Sequence, residues 1–309
     1  MSLAAWVATS PLRGLNALIV PRRSRSPLPR FTLSIGNIAL GGRAKTPLVA
    51  EVCSALRSVG LRPAILSRGY GGRRSNGTRV LVGQGGSPAW AATVAVDSIP
   101  GGATAAARWG DEAAWLAATL PGVPVGVDPD RIRGARTVLQ SHPTDVFVLD
   151  DGFQTACGRD LDVVVTAPQD RFGAATREGW GALERADLVL ELGRDLHREP
   201  GMLRWIDGRP AEPEPATVVA GVGDPRSVEA AAAAAGIEVV GRRRLRDHGQ
   251  YRGAWPRGTV LVTEKDALGW AADRGEPWTL VLGMSLRGGD RAAEQIVSQL
   301  PADLRRRRS

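Results

Sequence analysis

Six short apolar runs punctuate the first two thirds of the chain: 31-FTLSIG-36, 63-PAILS-67, 123-VPVGV-127, 145-DVFVLDD-151, 161-LDVVVTA-167 and 187-DLVLEL-192. Turn residues bound each of them. Nearly every position is apolar, which is the pattern of strands buried on both faces of a parallel sheet. Ala- and Leu-rich stretches lie between them, at 47–59, 111–119, 130–140 and 177–186, and read as helices. Alternating strand and helix predicts an α/β domain with helices on both faces of the sheet. The pattern breaks at 207-DGRPAEPEPA-216, where three prolines alternate with charges, as in a linker. Beyond it a smaller α/β pattern resumes. Strands are expected at 217–222, 237–241, 259–263 and 279–283, and helices at 228–235 and 288–300. The organisation expected is a segment 1–30, a main domain 31–206, a linker 207–216 and a smaller domain 217–309.

Composition changes this picture only in places. The 309 residues carry a formal net charge of +8. Forty residues are Lys or Arg, yet only Lys45 and Lys265 are lysines. A lysine that persists amid such an arginine bias points to a site that needs a compact ammonium, which a planar guanidinium does not replace. The arginines are scattered and no zinc-finger spacing or stacking motif accompanies them, so no nucleic-acid partner is expected. Cys53 and Cys157 are too few for a disulfide framework and point to a reducing compartment. No run of 18 apolar residues is present. The segment 3-LAAWVATSPLRGLNALIVPRRSR-25 is apolar with an arginine cluster at its end, which suits either association with an anionic membrane surface or a helix packed on the domain.

The chemistry is concentrated after the first strand. In 41-GGRAKTPLV-49, glycines follow a strand and lead through Lys45-Thr46 into a helical run. That is the context of a phosphate-binding loop: backbone N–H groups face phosphate oxygens, the lysine reaches the β- and γ-phosphates, and the hydroxyl holds Mg²⁺. The spelling is unusual, because Arg43-Ala44 precede the lysine where a glycine is standard. If position 44 requires positive φ, alanine costs about 1–2 kcal/mol there. The guanidinium of Arg43 either reaches a phosphate or faces solvent. Asp150 and Asp151 end the apolar run 146-VFVL-149, the place of a metal-holding carboxylate at the C-terminal edge of a sheet.

The run 34-SIGNIALGGRAKTPLV-49 resembles the signature S-x-G-N-x-x-x-G-G-T-G-K-T-P of the tetraacyldisaccharide 4'-kinases, the lipid A 4'-kinases. The resemblance continues in order through 63-PAILSRGYGG-72, 109-WGDEAAWLA-117, 150-DDGFQ-154 with 159-RDLDVVV-165, Arg177-Glu178, 185-RADLVL-190, 219-VAGVGDP-225, 247-DH-248 and 262-VTEKDA-267. It covers about 240 residues. It implies a P-loop NTPase-type, mainly parallel α/β domain plus a smaller C-terminal α/β domain. The implied reaction is transfer of the γ-phosphoryl of ATP, with Mg²⁺, to the 4'-hydroxyl of an acylated disaccharide phosphate lipid. The implied place is the cytoplasmic face of the bacterial inner membrane, and a monomer is expected.

Carried onto this sequence, the resemblance makes Gly41, Gly42, Arg43, Ala44, Lys45 and Thr46 the nucleotide loop. Thr46, Asp150, Asp151 and Glu178 become the Mg²⁺ set, and Arg177 neutralises charge in the transition state. Asp111 becomes the base with His248 as its partner, a pairing able to accept a hydroxyl proton. Arg68 and Tyr70 are candidates for contacting acceptor or nucleotide. For Lys265 and Asp266 a structural role is favoured, and His142 and His197 are read as surface residues. Three positions depart from the family pattern: Arg43-Ala44, Thr155 in place of a histidine, and Gly249 in place of a second histidine. They keep two alternatives open, a weak or inactive relative that binds nucleotide or lipid, and a kinase for another glycolipid.

Overall fold

The computed structural model describes residues 26–39, 42–70, 72, 77–84, 94–96, 99–101, 109–171, 176–222, 224–246, 249, 251, 253–268 and 276–306. The expected membrane-associating stretch up to residue 25 lies outside them, as do Gly41, Asp247 and His248. The described residues form two compact units. One runs up to Arg68 and adds Pro124–His197 and the chain from Leu286 onward. The other combines Gly69–Val123 with Arg198–Ser285. The expected linker 207–216 falls inside the second unit.

In the first unit, six strands pair in the order β6-β2-β7-β1-β8-β9. They are β1 (Phe31–Gly36), β2 (Pro63–Ser67), β6 (Val125–Val127), β7 (Val146–Asp150), β8 (Leu161–Thr166) and β9 (Leu188–Glu191). Every pair among them is parallel. The six apolar runs are these six strands, and β1, β2, β7 and β8 are buried along nearly their whole length, as a sheet covered on both faces requires. Helix α1 (Lys45–Ser58) packs on β1, β2, β7 and α6 (Gly289–Ser298), while α3 (Arg131–Ser141) packs on β6 and β2. The Asp130 side chain caps α3 by accepting from the N–H groups of Ile132 and Arg133. A short α7 (Ala302–Arg306) follows α6. The motif 159-RDLD-162 is structural. Asp160 accepts from the Thr32 N–H at 2.7 Å, and Arg159 pairs with the buried Asp162 at 2.7 Å.

The register sets the site. Ile35 stands opposite Asp150, and Gly36 opposite Val164. The loop leaving β1 therefore starts beside the carboxylates ending β7, at the C-terminal edge where α/β sheets bind ligands. Gly36 has no room for a side chain, because a Cβ there would overlap Phe153 of 150-DDGFQ-154.

The second unit holds the antiparallel strands β3 (Arg79–Gly83), β4 (Val94–Val96) and β5 (Ile99–Gly101), with α2 (Asp111–Thr119) packed on β3. It also holds a five-stranded sheet of order β10-β14-β13-β11-β12. Those strands are β10 (His197–Trp205), β11 (Ala216–Ala220), β12 (Val239–Arg244), β13 (Val260–Thr263) and β14 (Thr279–Arg287), joined by α4 (Pro225–Ala234) and the single turn α5 (Glu264–Asp266). Val218, Ala220, Ala232, Leu261, Leu280 and Leu282 are among the residues of its core. The prolines of 207–216 return the chain along β10, where Trp205 and Ala211 donate to Arg209 and Leu203 carbonyls.

Two expectations change. The helix expected over 177–186 is a 3-10 segment, Trp180–Arg185, preceded by extended chain in which Thr176 bridges Ala39. Gly179 and Gly181 weaken a regular helix there. His197, expected on the surface in a turn, begins β10, an edge strand that tolerates Pro200 and Gly201.

Candidate active site

The phosphate loop has the local shape that its spelling makes costly. Ala44, the residue before α1, is left-handed, with φ 55° and ψ 25°. Alanine therefore bears the positive φ that glycine carries freely. Asp151 is also left-handed, with φ 56°. Two strained non-glycine residues close to one buried lysine mark a functional site more than a stability device. Lys45 is 9% exposed and donates to Asn37 Oδ1 at 3.0 Å. Its Nζ also lies 3.1 Å from Asp151 Oδ1. Thr46, in the first turn of α1, is buried.

Asp150 and Asp151 divide the work of the strand end. Asp150 is buried as the last residue of β7. Asp151 turns towards cations, with Arg177 Nη1 2.6 Å from its Oδ2. Burial pushes the Asp151 carboxyl up, but the charges and hydrogen bonds of Lys45 and Arg177 outweigh it and hold the group at about 2. It is an anion at any working pH.

Glu178 is buried and already engaged. Its Oε1 accepts from Gln154 Nε2 at 3.0 Å, and its Oε2 pairs with Arg185. Gln154 also donates to the Asn37 carbonyl at 2.7 Å. The backbone N–H groups of Arg177 and Glu178 both donate to the Ile38 carbonyl, at 2.7 and 3.2 Å. Lys45, Asp150, Asp151, Arg177 and Glu178 are thus brought together around the end of β1.

Arg43 takes neither of the directions open to it from sequence. It turns inward onto Asp170 of the 3-10 helix Pro168–Asp170. Its Nη2 is 2.6 Å from Asp170 Oδ1, and its Nε is 3.1 Å from Oδ2. Both residues are buried, and Asp170 also accepts from the Ala167 N–H at 2.9 Å. The pair fastens the loop to the segment that follows β8. Arg131 is a further buried cation on this side of the sheet. Burial and the nearby Arg68 lower its pKa to about 10, so it stays charged, with Asp150 and Asp151 among the groups that favour the charge. Asn37, Gln154, Arg131, Asp170 and Arg185 escaped sequence reasoning as site residues. Asn37, Gln154 and Arg185 stood inside the motifs quoted, while Arg131 and Asp170 carried no such signal.

In the second unit, Asp111 opens α2 and accepts from the Glu112 N–H at 2.9 Å. The preceding Gly110 has φ 109°, and a Cβ there would press on the Gly69 and Tyr70 backbone. The Ser-Arg-Gly-Tyr segment therefore shapes the entry to α2, while the Tyr70 side chain is 65% exposed. Lys265 Nζ is 2.9 Å from Glu112 Oε1.

Among the described residues no cluster of three His, Cys, Asp or Glu side chains is arranged to hold a metal ion. A Mg²⁺ ion keeps waters and substrate phosphates and needs only one or two protein carboxylates. Thr46 and Asp150 are a hydroxyl and a carboxylate of the right kind, whereas Glu178 is committed to Gln154 and Arg185.

Comparison with known proteins identifies the family. Residues 2–301 match the family model described as tetraacyldisaccharide-1-P 4'-kinase. A tetraacyldisaccharide 4'-kinase of Anaeromyxobacter dehalogenans strain 2CP-C is 41% identical over 197 residues, an alignment covering 60% of this chain and 47% of the relative. One from Anaeromyxobacter sp. strain K is 34% identical over 325 residues, covering 85% of this chain and 79% of that protein. The fold is similar to a crystal structure of LpxK from Aquifex aeolicus in complex with ATP, with a TM-score of 0.69, 25% identity, and coverage of 94% of this chain and 98% of that one. The phosphate loop, the paired aspartates and the match along nearly the whole sequence converge, and the chain belongs to the tetraacyldisaccharide 4'-kinase family.

Proposed function

We propose that this chain transfers the γ-phosphoryl of ATP to the 4'-hydroxyl of a tetraacyldisaccharide 1-phosphate, using the residues gathered at the end of β1. The observation that carries the reading is the ionic group of Lys45, Asp151 and Arg177 at the mouth of the phosphate loop. Phosphoryl transfer passes through a loose transition state, so the protein's part is positioning and neutralisation of charge.

In this reading the N–H groups of the loop and α1 receive the phosphates. Lys45 exchanges its contacts with Asn37 and Asp151 for β- and γ-phosphate oxygens. Arg177, already drawn in by Asp151, neutralises charge that develops on the transferring group. Thr46, Asp150 and Asp151 would hold Mg²⁺, which would supply positive charge to offset that of the phosphates. Glu178 fixes Gln154 and Arg185 in place. Asp111, with His248, accepts the proton of the attacking hydroxyl.

In this reading the acceptor is an acylated, phosphorylated disaccharide and the enzyme works at the cytoplasmic face of the inner membrane, as a peripheral or monotopic protein. The apolar, arginine-tipped segment up to residue 25 supports that placement. Replacing Lys45 with Met removes the ammonium that would face the negatively charged β- and γ-phosphates. Transfer from labelled ATP should fall by about 100-fold or more, in a variant that circular dichroism shows to be folded although it loses the Lys45–Asp151 contact. Full activity in this variant would refute the assignment.

A further inference from the structure

The motif 262-VTEKDA-267 has no part in the chemistry above, yet it touches α2 through two contacts on one face. Trp115 donates from Nε1 to Glu264 Oε2 at 3.2 Å, and Lys265 Nζ meets Glu112 Oε1 at 2.9 Å. Glu112 and Trp115 are three residues apart on α2, so they point the same way. Glu264 and Lys265 are the first residues of α5, so both contacts come from one turn. The turn is rigid. Thr263 and Asp266 form a capping box, with the Asp266 N–H donating to Thr263 Oγ1 at 3.2 Å and Thr263 Oγ1 donating to Asp266 Oδ2 at 2.7 Å. The other oxygen of Asp266 accepts from the Gly221 N–H at 3.1 Å. Gly221 is the close-approach point of the second motif, since a Cβ there would overlap the Gly249 carbonyl oxygen. Gly249 follows His248 in sequence, and the chain leading towards it is tied to the same strand end by the Leu245 N–H bond to the Ala220 carbonyl at 2.9 Å.

We propose that Glu264, Lys265 and Asp266 are positioning residues for the proton acceptor Asp111: one turn fixes the helix that Asp111 begins, and its Asp266 ties that turn to Gly221. The inference rests on the kinase reading and deepens it. The second lysine of the chain then acts by fixing geometry. Burial raises the Glu264 carboxyl above its usual range, and Trp115 opposes the rise, in keeping with a group set inside the unit for its contacts.

The test uses the full chain with Lys265→Met, Glu264→Gln, and the exchanged pair Glu112→Lys with Lys265→Glu. Displacing a proton acceptor by about 1 Å lowers kcat by up to about 100-fold. The KM for ATP should stay within about twofold in Lys265→Met, because the nucleotide loop belongs to the other unit. The exchanged pair should restore kcat to within about threefold of the wild type. Amide exchange over 111–119 should quicken in Lys265→Met and recover in the exchanged pair, a readout independent of activity. Unchanged kcat with unchanged amide exchange would overturn the proposal. So would an exchanged pair that recovers helix protection without kcat, since Lys265 would then act on the substrate itself. Absence of transfer by the wild type would count against the kinase reading alone, and amide exchange would still decide the positioning role.

Discussion

At the scale of single residues, the site is built from side chains held in positions they would not choose alone. Ala44 at φ 55° is the plainest case. Replacing it with Gly relieves the left-handed strain, partly offset by a more flexible unfolded chain. The net expectation is a stabilisation of about 0.5–1 kcal/mol in urea titration, with ATP binding retained or tightened. Asp151 gives a pH prediction. Its folded pKa is about 2 against an ordinary 3.8, so its stabilisation is complete above about pH 5 and fades as pH falls towards 2. The shift corresponds to about 2 kcal/mol. The gap in stability between the wild type and Asp151→Asn should therefore close between pH 5 and pH 2, and a gap that is constant with pH would contradict the assignment. Two residue-level facts were legible in the sequence. Lys45 and Lys265 stood out against the arginine bias, and both make specific carboxylate contacts, with Asp151 and Glu112. The direction of Arg43 was not legible, because its partner Asp170 lies 127 positions away and carries no local signal.

At the scale of elements, the Arg43–Asp170 pair joins the lead-in to α1 with the segment after β8. A buried ion pair is costly to break from one side, because the remaining charge is left in a low-dielectric site. Asp170→Ala should destabilise the protein by about 3–5 kcal/mol, and Asp170→Ala combined with Arg43→Thr by clearly less. Chemical denaturation of the two variants measures the coupling, and equal losses would show that the pair does not fasten the loop. The strands of the first unit were readable because burial on both faces leaves short runs of almost pure apolar residues. The segment 177–186 was misread, because Ala and Leu content suggests a helix while Gly179 and Gly181 and the bond between Thr176 and Ala39 decide otherwise. β10 was missed for a related reason. An edge strand with Pro200 and Gly201 has no alternation to detect.

At the scale of the whole molecule, the chain order conceals how the units are assembled. The stretch from Gly69 to Val123 belongs with Arg198–Ser285, so the Gly-Asp-Glu motif and 262-VTEKDA-267 share one compact unit although about 150 residues separate them. Hydrophobic pattern alone places a boundary where prolines cluster, and it has no means of detecting an interleaved arrangement. The family, by contrast, was legible throughout, because its motifs are short, polar and set at strand ends where the chemistry requires them. The central claim is that a loop spelled 41-GGRAKTPLV-49 supports phosphoryl transfer with Asp111 as the proton acceptor. The most direct measurement is transfer from labelled ATP with Mg²⁺ to a tetraacyldisaccharide 1-phosphate in detergent micelles, comparing the wild type with Asp111→Ala. The account predicts a 4'-phosphorylated product from the wild type and a loss of about 100-fold or more in the variant. No product from folded wild-type protein that still binds ATP, or equal rates from the two proteins, would contradict it.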